Sequence, residues 1–357
     1  MLNGPELVVD LGALANNWRA LDALSGSAET AAMVKANGYG VGAQSAVDAL
    51  RSAGCNEFFV ADVNEGVALR EAFNDLTIYV LAGAPHGTVD ALKDHALVPT
   101  LLDLGQLERW RKANPTPAPA SLHIDSGMNR TGLDQREYQA LLERPDLLAD
   151  LDVHHVMSHL ACAEDVDPTH AATQIDRFHE IRRQFPQGRG SLANTAGIAL
   201  GHRAHFDHVR PGIGLYGADP TPNRTLGIQP VVALRAPVLQ IRNIAAGQTV
   251  GYGATWVAQR PTTVATVGVG YGDGWLRAQS NHGAAAVSGE RVPLIGRVSM
   301  DLVTLDVSDL TGPIEVGDPV ELIGPNVPIE DVAAAAGTIP YEILTSLSAR
   351  YQRSYVN

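Results

Sequence analysis

One unit recurs through the first 215 residues of the chain and governs what it can become. A short apolar or β-branched run ends in a polar or glycine-rich loop, and an amphipathic helical stretch follows. AAMVKANGYG precedes GAQSAVDALRSAG, EFFVADV precedes NEGVALREAF, LTIYVLAGAP precedes GTVDALKDHA, and LVPTLLD precedes LGQLERWRKA. ASLHIDSGMNRTG, LDVHHVMSHLACAED, GRGSLANTAGIAL and HVRPGIGLYG continue the series to eight. Strands that alternate with helices pair in parallel. Eight of them at roughly 25-residue spacing fit a closed (β/α)8 barrel better than an open doubly wound sheet. The expected fold class is α/β, with a TIM-type barrel over residues 8–225. After GADPTPNRTLGIQP the texture changes to short alternating strands broken by Gly and Pro, such as VVALRAPVLQIRNI, TTVATVGVGYGDGW, AAAVSGERVPLIGRVSM, DLVTLDVSDL and DPVELIG. That pattern predicts a mostly antiparallel β domain over 226–357, with residues 1–7 as a candidate addition. NPTPAPA, residues 114–120, reads as a Pro-rich loop, and PIEDVAAAAGTIPYEILTSLSARY as helical.

Composition narrows the function classes. Of 357 residues, 45% are hydrophobic and 18% charged, which suits a chain with a substantial core. Acidic residues number 39 against 26 basic ones, and no Lys/Arg run occurs, so neither nucleic acid nor an anionic membrane is an expected partner. No apolar stretch reaches the roughly 18 residues of a membrane span. The N-terminus lacks a basic start followed by an apolar run, and the expected location is the cytoplasm. The two cysteines, Cys55 and Cys162, have no CxxC spacing; a reducing compartment fits them, and a zinc ribbon or disulfide framework does not. Only three lysines occur, Lys35, Lys93 and Lys112. Chemistry that needs an amine has a short list of candidates.

In barrels of this class, function collects where strands end at their C-terminal side. Those ends carry Lys35, Asp62, Asp125, His159, Asn194 and Arg210. Each has a plain alternative reading as a helix cap or a solvated terminus. Lys35 is the most pointed, because it follows AAMV and faces the glycine-rich ANGYGVG, whereas Lys93 and Lys112 sit in polar helical contexts. A lysine at a barrel mouth loses water, its pKa falls, and the free amine can form a Schiff base with an aldehyde. Arg210 ends the eighth strand in VRPGIGLYG, and Asn194-Thr195-Ala196-Gly197 ends the seventh. Glycines there leave backbone N–H groups open to a phosphate. Singly these are weak signals. Together they outline a site for a phosphorylated aldehyde, and pyridoxal phosphate is the natural candidate. In the β domain, VGYGDGW around Tyr271 and PLIGRVSMD around Met300 are too polar and Gly-rich for strand core, and tight hairpin turns would explain both equally well.

Taken in order, MVKANGYGVG, HIDSGMNRTG, SHLACAED, LANTAG, VRPGIGLYG, VGYGDGW and PLIGRVSMD resemble the alanine racemase family over nearly the whole chain. The resemblance implies a (β/α)8 barrel followed by a β domain, a head-to-tail homodimer, and active sites shared between the two subunits. It implies that Lys35 carries pyridoxal 5'-phosphate and acts as one catalytic base, with Tyr271 of the second subunit as the other. Arg210 would contact the pyridine nitrogen, with His159 beside the ring. Tyr39, Thr195, Gly212, Ile213 and Tyr341 would hold the phosphate end, alongside Asn194. Arg130 and the backbone of Met300 would hold the substrate carboxylate, and Tyr252 would stand at the entrance. The implied reaction is interconversion of L- and D-alanine, for peptidoglycan synthesis or alanine catabolism. Many members carry a carbamylated lysine two residues before the Asp of the HIDSGMNR motif. This chain has His123 there, and histidine forms no stable carbamate, so Arg130 is expected to face chloride, water or another acceptor instead. YGDG also stands where YADG is commoner.

Three rival readings remain at this stage. A metal-dependent barrel hydrolase would draw on His154, His155 and His159, or on the HRAHFDH cluster of His202, His205 and His208. No HxH opens the first strand, so no metal is expected. A pyridoxal-phosphate decarboxylase of the same architecture would pair the ring nitrogen with an acidic residue, where this chain has Arg210, and would carry a cysteine in the β domain. A cofactor-binding protein without catalysis would have no use for Tyr271.

Overall fold

The computed structural model describes residues 4–114 and 117–357, so Pro115 and Thr116 of the expected Pro-rich loop fall outside the described residues. Strand β1 (Glu6–Asp10) runs straight into helix α1 (Leu11–Ser25), where the Asp10 carboxylate accepts from Ala13 N at 2.7 Å and caps the first turn. The barrel starts after this helix. β2 (Glu29–Thr30) and β3 (Ala32–Met33) are two halves of one strand interrupted at Ala31. There follow β4 (Glu57–Val60), β5 (Thr77–Val80), β6 (Val98–Leu101), β7 (Ala118–His123), β8 (Leu151–Met157), β9 (Arg189–Ser191) and β10 (His208–Val209). Neighbours pair in parallel in the order β2-β10-β9-β8-β7-β6-β5-β4-β3. Because β2 and β3 are consecutive, the two ends of that order meet and the sheet closes. All eight strands read from the sequence are present as a barrel.

Aspartates set the strand-to-helix turns. Asp62, Asp103 and Asp134 each accept a backbone N–H three residues on, and Glu137 completes a reciprocal capping box with Asp134. For Asp62 the plain reading holds: it is a cap on the helix Val63–Ala72. Side chains alternate across the barrel strands, so Phe59, Tyr79, His155 and His208 converge on its axis. Phe59 stacks on Tyr79 with centroids 4.5 Å apart, and the rings of His155 and His208 lie 4.4 Å apart. Phe58, Ile78 and Val156 point the other way, into a fully buried layer beneath the helices.

The second sheet is mostly antiparallel, as expected, and it draws on both ends of the chain. Its spine is the long strand β11 (Val232–Ile244), which pairs with β1 and with β18 (Pro319–Ile323) through its first half. A register shift at Val238/Gln240 then turns its second half towards β14 (Thr262–Val267). β12 (Thr249–Val250) and β13 (Trp256–Val257) form a separate ribbon. The hairpin of β15 (Ala284–Val287) and β16 (Glu290–Pro293) extends the sheet beyond β18, and β17 (Val303–Asp306) lies on β14. The C-terminal strand β19 (Gln352–Val356) pairs with β1 in parallel. The stretch PIEDVAAAAGTIPYEILTSLSARY, expected to be helical, holds two short helices, Ile329–Ala335 and Pro340–Ser346, and β19 follows it.

The chain leaves the barrel at Gly217, where φ is 95° and an added Cβ would lie 2.5 Å from Val231 N. Only glycine satisfies both demands at once. Gly217→Ala is therefore expected to lower stability by more than about 1 kcal/mol, with a matching fall in the denaturant midpoint and no change of slope.

Candidate active site

Lys35 stands directly beyond β3, and the chain after it does something unusual. Ala36, Asn37, Gly38 and Tyr39 all have φ between 52° and 61°, so one turn of backbone is left-handed. For residues with a Cβ this costs roughly 1–2 kcal/mol each. The surrounding structure supplies the compensation. Both oxygens of Glu65 are used, one accepting from Ala36 N at 2.7 Å and the other from Ala61 N at 2.8 Å. Gly38 N donates to Val34 O, Gly40 N to Ala36 O, and the Asn37 side chain accepts from Ala43 N at 3.0 Å. From the second domain, Arg353 donates to Gly40 O and Tyr355 to Val41 O. A strained turn held from so many sides fixes the direction of the preceding side chain.

That side chain enters a cavity of about 740 Å³ at the C-terminal mouth of the barrel. Burial, followed by the charge of Arg130, holds the Lys35 amine below its ordinary pKa; Glu65 works in the opposite direction, and Arg210 adds to the lowering. Arg210 is 2% exposed, with one N–H donated to Ser191 Oγ and another to Ser158 O at 2.7 Å. Burial brings its guanidinium down to about 9, below the range expected of an exposed arginine, yet it remains a cation at pH 7. His159 and His123 also line the space. Burial first, and Arg210 next, push His159 far down and bring His123 to about 4, so both imidazoles are neutral. Asp125 is not among the lining groups. Its carboxylate gathers the N–H groups of Gly127, Met128 and Asn129 and shapes the loop that presents Arg130.

Across the cavity, the loops after β9 and β10 are tied together. Thr195 Oγ1 accepts from Gly212 N at 3.0 Å and from Gly214 N at 3.3 Å. Asn194 lines the cavity while its amide oxygen caps the turn at Gly197 N, 2.8 Å away. A Cβ on Gly212 would collide with the Tyr39 hydroxyl, so glycine is needed for the close approach. Tyr39 stacks on Tyr216 at 4.6 Å, and Tyr341 arrives from the second domain of the same chain, its ring 6.1 Å from that of Tyr39. Burial raises the pKa of both lining phenols, Tyr341 to about 12, and keeps them as hydroxyl donors.

The cavity thus gathers Lys35, Tyr39, Arg130, His159, Asn194, Thr195, Arg210, Gly212, Ile213 and Tyr341 from the residues singled out in the sequence. Tyr271, Met300 and Tyr252 are not among its lining residues. They stand on the second domain with 43%, 55% and 70% of their surfaces exposed. Tyr271 N donates to Ser299 O and Gly272 N to Met300 O, so two loops far apart in sequence form one unit. The observed backbone at Tyr271–Asp273 is a 3-10 turn rather than a hairpin. Glu65 went unnoticed in the sequence, since DVNEG reads simply as a capped helix start.

Residues 9–220 match the alanine racemase N-terminal domain, and residues 231–355 match the alanine racemase C-terminal domain. The chain belongs to the alanine racemase family. An alanine racemase of Acidiphilium cryptum is 47% identical over 354 residues, covering 99% of both chains. A catabolic alanine racemase of Mesorhizobium japonicum is 44% identical, covering 99% of this chain and 93% of the relative. Among solved structures, alanine racemase from Bartonella henselae with covalently bound pyridoxal phosphate superposes with a TM-score of 0.95 at 38% identity, covering 99% of this chain and 100% of that one. Family membership brings the activity with it, interconversion of the two enantiomers of alanine, and removes the hydrolase and decarboxylase readings.

The lowered pKa of Lys35 has a direct readout in the cofactor-free protein. The amine reacts only when unprotonated, so modification of Lys35 by an amine-selective reagent, followed by peptide mass spectrometry, should rise with pH and reach half its maximum below pH 10.5. Arg130→Ala, which removes the largest cationic cause of the lowering, should move that midpoint upward.

Proposed function

We propose that the chain racemises alanine with pyridoxal phosphate held on Lys35, as a cytoplasmic homodimer in which each cavity is completed by Tyr271 of a second copy. The observation that carries this reading is the desolvated Lys35 amine in one cavity with the buried Arg210 cation. The donor set suits the cofactor. Lys35 supplies the amine for its aldehyde, and Arg210 a permanent N–H donor for its ring nitrogen. Tyr39, Thr195, Ile213 and Tyr341 supply hydroxyl and backbone donors for its phosphate, in a cradle that a Cβ at Gly212 would close.

Bound pyridoxal phosphate makes the Cα proton of an attached amino acid acidic by drawing electrons into its ring. The protein does the rest. Inverting a stereocentre requires a proton removed from one side and another delivered to the opposite side, and two groups do this more simply than one that swings. Lys35 Nζ is the group from the barrel, and its lowered pKa increases the share of free amine, the form that accepts a proton. Tyr271 Oη is the second group. Its exposure beside Met300 on the second domain, outside the same chain's cavity, supports contribution in trans. Arg210 remains charged and would donate a hydrogen bond to the ring nitrogen without surrendering its proton. That would limit how far the ring can accept electrons and would guard against competing reactions such as transamination. Arg130, beside His123, offers a cation for the substrate carboxylate. The unpaired cysteines Cys55 and Cys162 support a reducing compartment.

Incubation with L-alanine and with D-alanine, followed by optical rotation, should reach the same equal mixture from either side. Lys35→Ala and Tyr271→Phe should each lower the rate about 10²–10⁴-fold. Mixing the two inactive variants under exchange conditions should restore roughly a quarter of the wild-type rate, because half the dimers are mixed and each has one intact site. No recovery would rule out the shared site. A second prediction concerns His123. Intact-mass and peptide analysis of the protein at pH 8 with bicarbonate should show no carbamate at this position, whereas His123→Lys should gain one.

A further inference from the structure

The opposite end of the barrel holds a polar cluster that the racemisation chemistry does not use. Glu57, His155 and His208 come from β4, β8 and β10, and one ligand atom of each lies within 4.8 Å of the other two. Glu57 Oε2 is 3.0 Å from His208 Nε2 and 3.7 Å from His155 Nε2. Both histidines are fully buried, and none of the three facing atoms has an aligned hydrogen-bond partner.

The far side of each group is anchored. His155 Nδ1 lies 3.1 Å from Ser121 Oγ, His208 Nδ1 lies 2.8 Å from Ser191 Oγ, and Glu57 Oε1 accepts from Arg189 at 2.6 Å. An ion pair between Glu57 and His208 would leave His155 Nε2 buried without a partner, which is costly. Two imidazoles and a carboxylate, anchored behind and convergent in front, form the donor set of a divalent transition metal. Arg189, which holds the far oxygen of Glu57, also pairs with the exposed Glu29.

We propose that Glu57, His155 and His208 form a binding site for a zinc-class divalent cation inside the barrel, separate from the racemisation cavity. In the sequence His155 and His208 belong to two separate histidine clusters and Glu57 to neither, which is why no metal is expected there: the three ligands lie on three different strands. The cation would cross-link those strands and leave a position open for water.

The test uses the cofactor-loaded enzyme, incubated with Zn²⁺, dialysed against metal-free buffer and analysed by mass spectrometry of the metal. About one zinc per chain is expected in the wild type, and roughly tenfold less in His155→Gln and Glu57→Gln. Co²⁺ in the same protocol should give the visible absorption of four-coordinate cobalt. The wild-type unfolding midpoint should rise with Zn²⁺ and fall back on chelation. No retained metal in the wild type, equal retention in folded variants, or a Zn²⁺-dependent midpoint that persists in His155→Gln would each overturn the assignment. Should a variant fail to fold, the wild-type stoichiometry and cobalt spectrum decide alone.

Discussion

Everything in the cavity is organised around keeping water away from one amine without neutralising it by a close carboxylate. A lysine near an acid would remain protonated; Lys35 instead has cations as neighbours, Arg130 and Arg210. The nearest acid, Glu65, spends both oxygens on backbone N–H groups, so its charge is committed to holding the turn. The left-handed run from Ala36 to Tyr39 makes this possible. A right-handed helix starting at the same point would carry the chain away along the barrel wall, whereas the inverted turn folds Tyr39 back over the Gly212 loop. The strain of that turn is offset by contacts from helix, sheet and second domain, which links the stability of the fold to the position of the amine.

The same cationic bias explains the histidines. His123 and His159 would be ordinary titrating groups on a surface, but burial beside two guanidiniums makes their protonated forms unfavourable. The cavity therefore concentrates positive charge in two guanidiniums, Arg130 and Arg210, and keeps its imidazoles available as acceptors. Such a field suits a ligand with a phosphate at one end and a carboxylate at the other. It also gives a physical reason why His123 can replace a carbamylated lysine. The neutral ring occupies the space without adding a further cation, and leaves the anion opposite Arg130 to solvent or to the substrate.

The barrel was legible because its signal is local and repeated. Each strand run, loop and helix stretch carries its own periodicity, and eight agreeing units overrule any single misreading. The strand-end positions of Lys35, His159, Asn194 and Arg210 followed from the same register. What lay hidden depended on contacts between distant segments. ELVVD and QRSYV are too short to declare a sheet alone; ELVVD becomes a strand by pairing with β11, and QRSYV by pairing with ELVVD across the whole chain. Asp62 and Glu65 look alike in a capped helix start, yet one merely caps while the other reaches back 29 residues to Ala36 N. The Glu57, His155 and His208 cluster is a product of barrel closure and leaves no spacing to read.

The division of the site between domains has its own logic. Gly270 cannot carry a side chain because a Cβ would run into the Met300 and Ser299 carbonyls, so the Tyr271 and Met300 loops are locked together. Arg350, bonded to both Asp273 and Asp301, braces the same pair. The phenol is therefore held on a rigid platform while it remains exposed. Rigid presentation of an exposed tyrosine brings no benefit to a solitary chain, and it leaves apolar surface facing water. The shared site proposed above gives this exposure a use, since in it the barrel mouth of a second copy, with its desolvated amine, would receive the loop.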